Sequence, residues 1–483
     1  MKNNDRQFIN RRSFLKTSGI AGIVAGGAGI GFWGYKNGQS PQSHSGWESY
    51  QGAAQYFNRE AFAVEKPTYK KVGPTRRIDA RTDVIFYRFP ELNRQWQAEI
   101  GLDSLQEPWR DYYSCNPKEL ELDLRLKQEI LPKYQADQKK HADQFRLSTA
   151  WARAMGAVAP EPINQPPEMS DFPRGERYGE PSTPLPMKDP GKTSALIKQI
   201  AYQLGSTLVG IARLNPDWVY RYPMRNRGFE AHRELKVPAH WETAIVVGSP
   251  MSWDPFFANP NYGASDDGYA RSRIAAFRLA AFIRSLGYAA RPHTPGTAYD
   301  LIVPPILVDA GLGEQGRHSI IITPELGSNF RPSIVTTNLP LTPDKPIDFG
   351  VQDFCKTCKI CAKQCPSGAI TMGAPSEHNG YLRYQLDISK CHNFWYSKLG
   401  NIGCRVCVAV CPYSRKANWV HKSALQMIAR DPSKLSHKLL TQLQESFYPA
   451  PAAQDYYMPS MGGANASYRE APWWLRSEDF IGK

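Results

Sequence analysis

Eight cysteines crowded into one short stretch constrain this chain more than any other feature. The first group has the spacing C-x2-C-x2-C-x3-C-P and the second has C-x12-C-x2-C-x3-C-P. In runs of this kind, three close cysteines ligate one [4Fe–4S] cube and the cysteine before the proline ligates the other cube. We therefore assign cluster 1 to Cys355, Cys358, Cys361 and Cys411, and cluster 2 to Cys391, Cys404, Cys407 and Cys365.

Zinc and disulfide bonds are the competing explanations for these cysteines. Zinc sites use paired C-x2-C units, and three-residue gaps that end in Cys-Pro are not typical of them. Disulfides form in exported proteins, but cysteines this close in sequence pair poorly. Two cubane clusters are therefore the favoured interpretation. The ninth cysteine, Cys115, stands alone and is not expected to be a ligand.

The amino terminus predicts export. The segment Asn10–Lys16, with the pair Arg11-Arg12, precedes a glycine-rich apolar run from Ile20 to Trp33. This order is typical of a twin-arginine export signal, which we assign to residues 1–38. A membrane anchor is the alternative, but a run this short spans about 30 Å of hydrocarbon poorly. No later stretch is long and apolar enough to cross a bilayer.

The net charge of +14 does not indicate a nucleic-acid partner. The first forty residues account for a surplus of five positive charges, and two thiolate-ligated clusters would offset about four more. The sequence shows no basic stripe interleaved with aromatic residues. At 483 residues the chain is also too long for one compact core, so two or three lobes are expected.

Apolar periodicity predicts a mixed α/β or α+β region before the cysteines. Helices are predicted over Pro117–Ala136, Gln144–Met155, Ser194–Gly205 and Asp266–Gly287, the last capped by Asp266 or Asp267. Strands are predicted over Thr207–Leu214, Thr243–Gly248, Asp300–Val308, Ser319–Thr323 and Ser333–Thr337. The run Glu161–Lys192, rich in proline and glycine, is predicted to be a surface connection.

The segment Gly311–Gly316 matches the dinucleotide pattern G-x-G-x-x-G. It is followed by Arg317 and a strand-like stretch, not by a helix whose N-terminus could hold a pyrophosphate, so we reject NAD. The glycines are expected either to let backbone approach a large flat ligand or to turn tightly between strands.

Tyr269 and Arg331 are the candidate acid and its partner. A tyrosine phenol is neutral at pH 7 and can donate a proton, and a nearby arginine would stabilise the phenolate. On the residues alone, an aromatic packed at a helix start is the better interpretation of Tyr269. A surface salt bridge is likewise the ordinary role for Arg331.

Taken together, these features resemble the catalytic subunit of the corrinoid-dependent reductive dehalogenases. The resemblance rests on the twin-arginine start, both cysteine groups and four segments: Gly268–Ser272, Phe282–Tyr288, Ala310–Arg317 and Asn338–Leu341. It is specific over about residues 193–422 and loose over the first 190.

The resemblance implies a nitroreductase-like corrinoid-binding core at 193–345, followed by a ferredoxin-like domain at 346–422 and a C-terminal extension at 423–483. Residues 39–192 would cover the cofactor and substrate pocket. The cobamide would be bound base-off, and the lack of a D-x-H-x-x-G segment agrees with that mode. The residues this resemblance assigns are Gly311, Gly313, Glu314 and Gly316 at the corrinoid, Tyr269 as proton donor, Arg331 beside it, and Trp395 in the halocarbon pocket. Some members of this family have an Asn near the pocket, in the stretch that is Thr294–Thr297 here. This sequence has no Asn in that stretch.

The implied reaction replaces a carbon-bound halogen of an organohalide by hydrogen, with electrons passing through both clusters to a Co(I) corrinoid. It also implies organohalide respiration at the outer face of the cytoplasmic membrane, with a small membrane-anchor subunit and a respiratory electron donor. An exported ferredoxin-type carrier without corrinoid is one alternative, although about 350 residues precede Cys355. An epoxyqueuosine reductase-like enzyme is the other, and the export signal argues against it.

Overall fold

The structure is a computed structural model that describes residues 59–140, 184–222, 234–237, 241–253, 262–294, 300–399, 404–415, 419–431 and 433–447. The predicted export signal and the helix predicted over Gln144–Met155 lie outside these ranges. Most of the predicted C-terminal extension does so as well.

The described residues form helices of varied length around one larger sheet. The helices are α1 (Ala80–Asp83), α2 (Ile85–Gln95), α3 (Trp109–Cys115), α4 (Pro117–Arg125), α5 (Leu131–Lys140), α6 (Pro190–Gln203), α7 (Tyr262–Ser285), α8 (Val303–Asp309), α9 (Val351–Cys358), α10 (Ile360–Lys363), α11 (Ile388–Leu399), α12 (Val406–Ala409), α13 (Trp419–Arg430) and α14 (Leu435–Phe447). The strands are β1 (Lys70–Lys71), β2 (Leu208–Arg213), β3 (Thr243–Pro250), β4 (Ala290–His293), β5 (Glu314–Gln315), β6 (Ile321–Ile322), β7 (Phe330–Thr337), β8 (Ser376–His378) and β9 (Tyr381–Arg383).

The central sheet has four antiparallel strands in the order β2-β3-β7-β4. Its register places Ile211 opposite Ile245, and Ile245 opposite Val335. Every residue of β3 is buried, as expected for a strand that is covered on both faces. The strands predicted at 207–214, 243–248 and 333–337 are therefore confirmed.

Helices cover both faces of this sheet. Alternate side chains of a strand point to opposite faces, and β2 follows this rule. Val209 and Ile211 pack with α6 and α7, whereas Leu208 and Ala212 pack with α8. The result is a three-layer α/β/α core, which is the mixed architecture that the sequence predicted.

One predicted strand and one predicted helix cap are wrong. The stretch 300–308 was expected to be a strand, but Val303–Asp309 is helix α8 with prolines in its first turn. Proline is favoured there because the first amides of a helix have no hydrogen-bond partner within the helix. Helix α7 begins at Tyr262, so neither Asp266 nor Asp267 caps it. Asp267 instead pairs with Arg271 one turn later, an arrangement that supports a helix interior.

The predicted strand at 319–323 is reduced to Ile321–Ile322 of β6, which pairs with Glu314–Gln315 of β5. The helix predicted over 117–136 forms as α4 and α5, joined by a π turn at Leu126–Ile130. The glycine segment thus enters a small antiparallel ribbon and not a helix, in line with the argument against a dinucleotide site.

The N-terminal helices pack on the cysteine-rich part of the chain. Arg88 of α2 is buried and pairs with Asp123 and Glu119 of α4, and Phe89 packs near Tyr396 of α11. Helix α11 also carries Cys391, so this layer braces one of the cysteine-bearing elements.

Candidate functional site

Tyr269 and Arg331 lie together on facing elements. Tyr269 is in the third turn of α7, and Arg331 is near the start of β7. The guanidinium carbon of Arg331 is 5.2 Å from the centre of the tyrosine ring. Gly268 permits this approach, because a Cβ there would be only 3.1 Å from Cγ of Arg331. The structure thus brings the predicted acid and its predicted partner into one site.

Ser265 connects this pair to the cysteine-rich segment. Its hydroxyl accepts a hydrogen bond from Nη2 of Arg331 at 2.9 Å and one from Nη1 of Arg405 at 3.4 Å. Arg405 is buried and directly follows Cys404. Sequence reasoning missed both residues, since only the fold places α7 against the loop that precedes α12.

Asp266 is a further titratable group in this region. It precedes Tyr269 by three residues, so both lie on the same side of α7. Burial raises the pKa of Asp266 to about 6, although Arg405, Arg273 and Arg331 oppose this rise. The site therefore holds a carboxyl group that can exchange a proton close to neutral pH. Its spacing from Tyr269 is the sequence signal that could have revealed it.

The first predicted set of cysteines is brought together in the core. Cys355, Cys358, Cys361 and Cys411 are all buried in one cluster of apolar side chains. Burial, followed by the neighbouring thiols, raises the pKa of Cys358 to about 12 and that of Cys361 well above its ordinary value. The thiols that act on Cys361 include the other three members of this set.

The second predicted set also converges. Burial raises the pKa of Cys391 to about 12, with further contributions from Cys404 and Cys365. Burial also raises the pKa of Cys407 well above its ordinary value. The other three thiols of this set and Cys411 of the first set raise it further. The two sets are therefore neighbours, which suits electron transfer between them.

These thiols fit the group that their spacing predicts. All eight are free of disulfides, and each set offers four sulfur ligands in a largely apolar setting, the donor set of a [4Fe–4S] cube. Because burial raises the pKa values of six of these thiols, loading would release protons; the six are Cys355, Cys358, Cys361, Cys391, Cys407 and Cys411. In the ranges the structure describes, no three His, Cys, Asp or Glu side chains close around a single metal ion.

The glycine segment is packed against the protein's own backbone. A Cβ at Gly311 would lie 2.3 Å from the carbonyl oxygen of Lys345, and one at Gly313 would lie 2.0 Å from that of Ile322. Gly316 faces the side chain of Ile322 in the same way. Glu314 is buried and accepts hydrogen bonds from backbone amides at the start of α9. These contacts give the segment a structural role, and its contact with a corrinoid stays a prediction.

Trp395 lies one turn after Cys391 on α11, at the edge of the cluster-binding core. Its ring is 5.7 Å from that of Phe86 in α2. The indole is close enough to Cys391 to lower the pKa of that thiol against the effect of burial. The structure thus places Trp395 beside Cys391, a predicted ligand of cluster 2, and its role in a halocarbon pocket stays a prediction.

The lone cysteine, Cys115, is exposed at the end of α3.

Among the helices that the structure describes, none is both long and apolar enough to cross a membrane.

The cysteine-rich segment matches a known family. The model of the 4Fe-4S dicluster domain matches residues 354–415, which contain all eight cysteines.

Curated relatives match longer parts of the chain. The tetrachloroethene reductive dehalogenase of Sulfurospirillum multivorans is 38% identical over 267 residues, covering 48% of this chain and 52% of the relative. The trichloroethene reductive dehalogenase of Dehalococcoides mccartyi is 39% identical over 170 residues, covering 32% of this chain and 28% of the relative. Over these spans the chain is similar to reductive dehalogenases. It spans about half the length of the first of these proteins.

Solved structures show the same fold. The catabolic reductive dehalogenase NpRdhA in complex with 3-bromo-4-hydroxybenzoic acid matches with a TM-score of 0.59 at 22% identity, covering 89% of this chain and 54% of that protein. The predicted fold class, a mixed α/β core followed by a ferredoxin-like domain, is therefore confirmed. An epoxyqueuosine reductase of Bacillus cereus matches far less, at 36% identity over 119 residues, 22% of this chain and 28% of the relative.

Proposed function

We propose that the chain is the catalytic subunit of a reductive dehalogenase, which replaces a carbon-bound halogen of an organohalide by hydrogen. The observation that carries the proposal is the pairing of Tyr269 with Arg331, held by Ser265 and Arg405 next to the cysteine-rich segment. An electron carrier needs only the two sets of thiols. The acid–cation pair beside them favours an enzyme that also transfers a proton. The relatives named as reductive dehalogenases support the same conclusion.

The reaction consumes two electrons and one proton and releases a halide ion and the organic product in which hydrogen has replaced that halogen. The eight cysteines would hold two [4Fe–4S] clusters that carry the electrons. A base-off corrinoid in the core would supply a reduced cobalt able to break the carbon–halogen bond. One solved structure of this fold is described as suggesting a mechanism for B12-dependent dehalogenation.

The chain's own residues would manage the proton. The phenol of Tyr269 donates it to the carbon that loses the halogen, and the guanidinium of Arg331 stabilises the phenolate that remains. Arg331 is fixed for this role, because it donates to Ser265 and to the carbonyl of Phe330. Gly311, Gly313, Glu314 and Gly316 as corrinoid neighbours, and Trp395 in the substrate pocket, complete the proposed site.

We further propose that the chain works outside the cytoplasm. The twin arginine at Arg11-Arg12 supports export in a folded state. Cluster loading in the reducing cytoplasm would precede export. A small membrane-anchor subunit would then hold the chain at the outer face of the membrane, where a respiratory donor supplies electrons for organohalide respiration.

The test uses the full chain, purified and reconstituted without oxygen and with cobamide. We expect about eight iron and about one cobalt per chain, and release of chloride from tetrachloroethene with a strong one-electron reductant. Tyr269→Phe should keep the metals and lose at least about 100-fold in rate.

Tyr288→Phe is the matched control, because this tyrosine lies beyond the end of α7 and its hydroxyl donates to the carbonyl of Leu185. We expect it to leave the rate unchanged. Eight iron with no cobalt and no turnover would instead favour the ferredoxin-type carrier.

A further inference from the structure

The segment Gly311–Arg317, which resembles a dinucleotide site in sequence only, holds helix α9 at two points. Oε1 of Glu314 accepts the backbone amides of Phe349 and Val351 at 2.9 and 3.1 Å, where α9 begins. Arg317 donates from Nε and Nη2 to the carbonyl oxygen of Cys355 at 3.1 and 3.0 Å. Helix α9 carries two of the four cysteines of cluster 1, so this segment positions its ligands.

Arg317 is an unusual cation because of its surroundings. Its exposed fraction is only 2%, and Nη1 donates to the carbonyl oxygens of Thr371 and Gly373 at 2.9 and 2.8 Å. The guanidinium carbon is also 4.0 Å from the centre of the Tyr384 ring. Among the described residues, each hydrogen-bond partner of this guanidinium is thus a neutral backbone carbonyl.

Within the described part of the chain, no carboxylate forms an ion pair with Arg317. The other deeply buried arginines of α2 and β4 do have such partners, Asp123 for Arg88 and Asp300 for Arg291. A buried charge without a counter-charge is costly. The geometry therefore points to an anion that is bound beside Arg317 in the working protein.

The neighbouring thiols identify that anion. Cys355, whose carbonyl oxygen accepts two hydrogen bonds from Arg317, is a predicted ligand of cluster 1 and lies in the same buried group as Cys358, Cys361 and Cys411. A cube held by four thiolates carries a net negative charge of about two, and it would lie against Cys355. The first cluster is thus the negative group that would lie next to this cation.

We propose that Arg317 is the counter-cation of cluster 1 and raises its reduction potential above the value that four thiolates alone would give. This proposal rests on the two clusters of the proposed function, but on neither its corrinoid nor its substrate. When an external donor adds one electron to the cluster, the negative charge grows by one, and a fixed cation stabilises the reduced form more than the oxidised form. Net charge around a cluster is one of the factors that set its potential.

The experiment is a redox titration of the reconstituted full chain, followed by electron paramagnetic resonance, without corrinoid or halocarbon. Cys391→Ala, which removes a ligand of cluster 2, assigns the two potentials. In Arg317→Gln we expect the potential of cluster 1 to become more negative and that of cluster 2 to stay at its original value. In Arg317→Lys, which keeps the charge, both potentials should stay close to those of the parent.

Lys356→Gln is the matched control. Lys356 adjoins Cys355 on the same helix, but it is exposed and pairs with Asp353, so water screens its charge. We expect a much smaller shift than in Arg317→Gln. An equal shift in the two variants, or an unchanged cluster 1 in Arg317→Gln, would overturn the proposal.

A variant that cannot load cluster 1 does not block the test. If Arg317→Gln binds only about four iron, Arg317→Lys decides. Eight iron and an unchanged potential in the lysine variant support the counter-cation, and a shift despite the retained charge contradicts it. Because the titration needs no dehalogenation, it can fail while the proposed activity stands, and the activity assay can fail while Arg317 keeps this role.

Discussion

The guanidinium carbon of Arg331 lies 5.2 Å from the centre of the Tyr269 ring. Cations near aromatic rings are attracted to them, and a cation beside a phenol stabilises the charge left when the proton departs. Two elements create this relationship, since α7 carries the tyrosine and β7 carries the arginine. The tight approach depends on Gly268, which has no side chain to separate the elements.

Replacing Arg331 tests whether this proximity serves the reaction. Arg331→Gln should keep iron and cobalt and lower the dechlorination rate by about 10- to 100-fold, because an electrostatic contact to the developing phenolate is lost. Arg331→Lys should recover part of that rate. The measurement is turnover at saturating tetrachloroethene together with metal content. Full turnover in Arg331→Gln would show that the arginine only packs against the ring.

Gly313 tests the packing role of the glycine segment. A Cβ there would lie 2.0 Å from the carbonyl oxygen of Ile322, so Gly313→Ala should cost at least about 2 kcal/mol through forced movement of backbone. The thermal unfolding midpoint and the soluble yield report this loss.

Gly191→Ala is the control for Gly313→Ala. The nearest atom to a Cβ at Gly191, other than its chain neighbours, is Oδ1 of Asp189 at 3.4 Å, an ordinary contact. We expect the midpoint of this variant to match or slightly exceed that of the parent, since alanine favours the helix. Equal losses in both variants would argue against a specific clash at Gly313.

The sequence predicted the parts of this molecule that depend on local pattern. The cysteine spacing indicates the dicluster segment, because three ligands of each proposed cube are near one another in the sequence. In the second set, a longer loop separates the first of the three from the other two. Strands β2, β3 and β7 were equally visible as apolar runs of strand length. The same kind of pattern gave the wrong element at α8, because a short apolar run does not distinguish a strand from a buried helix.

The sequence could not predict relationships that depend on packing between distant segments. Glu314 and Phe349 are far apart along the chain, yet their hydrogen bond fixes the start of α9. Arg405 reaches Ser265 only because the loop before α12 lies against α7. The role of Arg317 is of the same kind, because nothing in its neighbours along the chain indicates a buried cation.

The buried pair Arg88–Asp123 is expected to stabilise the N-terminal helices. The exposed fractions of the two side chains are 2% and 0%, and Tyr113 donates a further hydrogen bond to Asp123. Asp123→Asn should cost about 3 to 5 kcal/mol, because it leaves a buried guanidinium poorly compensated. The unfolding midpoint is the measurement.

An exposed pair in the same helices is the control for Asp123→Asn. Arg125 and Glu129 are 64% and 68% exposed, so Glu129→Gln should change the free energy of unfolding by less than about 1 kcal/mol. In addition, Arg88→Met combined with Asp123→Leu should be more stable than Asp123→Asn, because it leaves no deeply buried charge; Glu119, which also pairs with Arg88, is 32% exposed. A double variant that is less stable would contradict this account.

Glu314 should make the stability of the protein depend on pH. Burial, followed by the charge of Asp348, raises the pKa of Glu314 from its ordinary value of 4.5 to about 8. Between these two values the folded chain keeps a proton that the unfolded chain has lost. The stability contributed by this proton is therefore complete below about pH 4.5 and is lost as the pH rises through about 8. The full effect has an upper limit of about 5 kcal/mol.

Glu314→Gln removes this proton without removing the oxygen that accepts the amides of Phe349 and Val351. Relative to the parent, the variant should therefore gain stability as the pH rises from about 5 to about 8. Thermal unfolding midpoints across this range measure the difference. Glu65→Gln is the control, because Glu65 is 81% exposed beside Lys345 and should leave the pH dependence of the parent intact. Parallel curves for Glu314→Gln and the parent would mean that Glu314 is already ionised in the folded chain, with the amides of α9 as sufficient compensation.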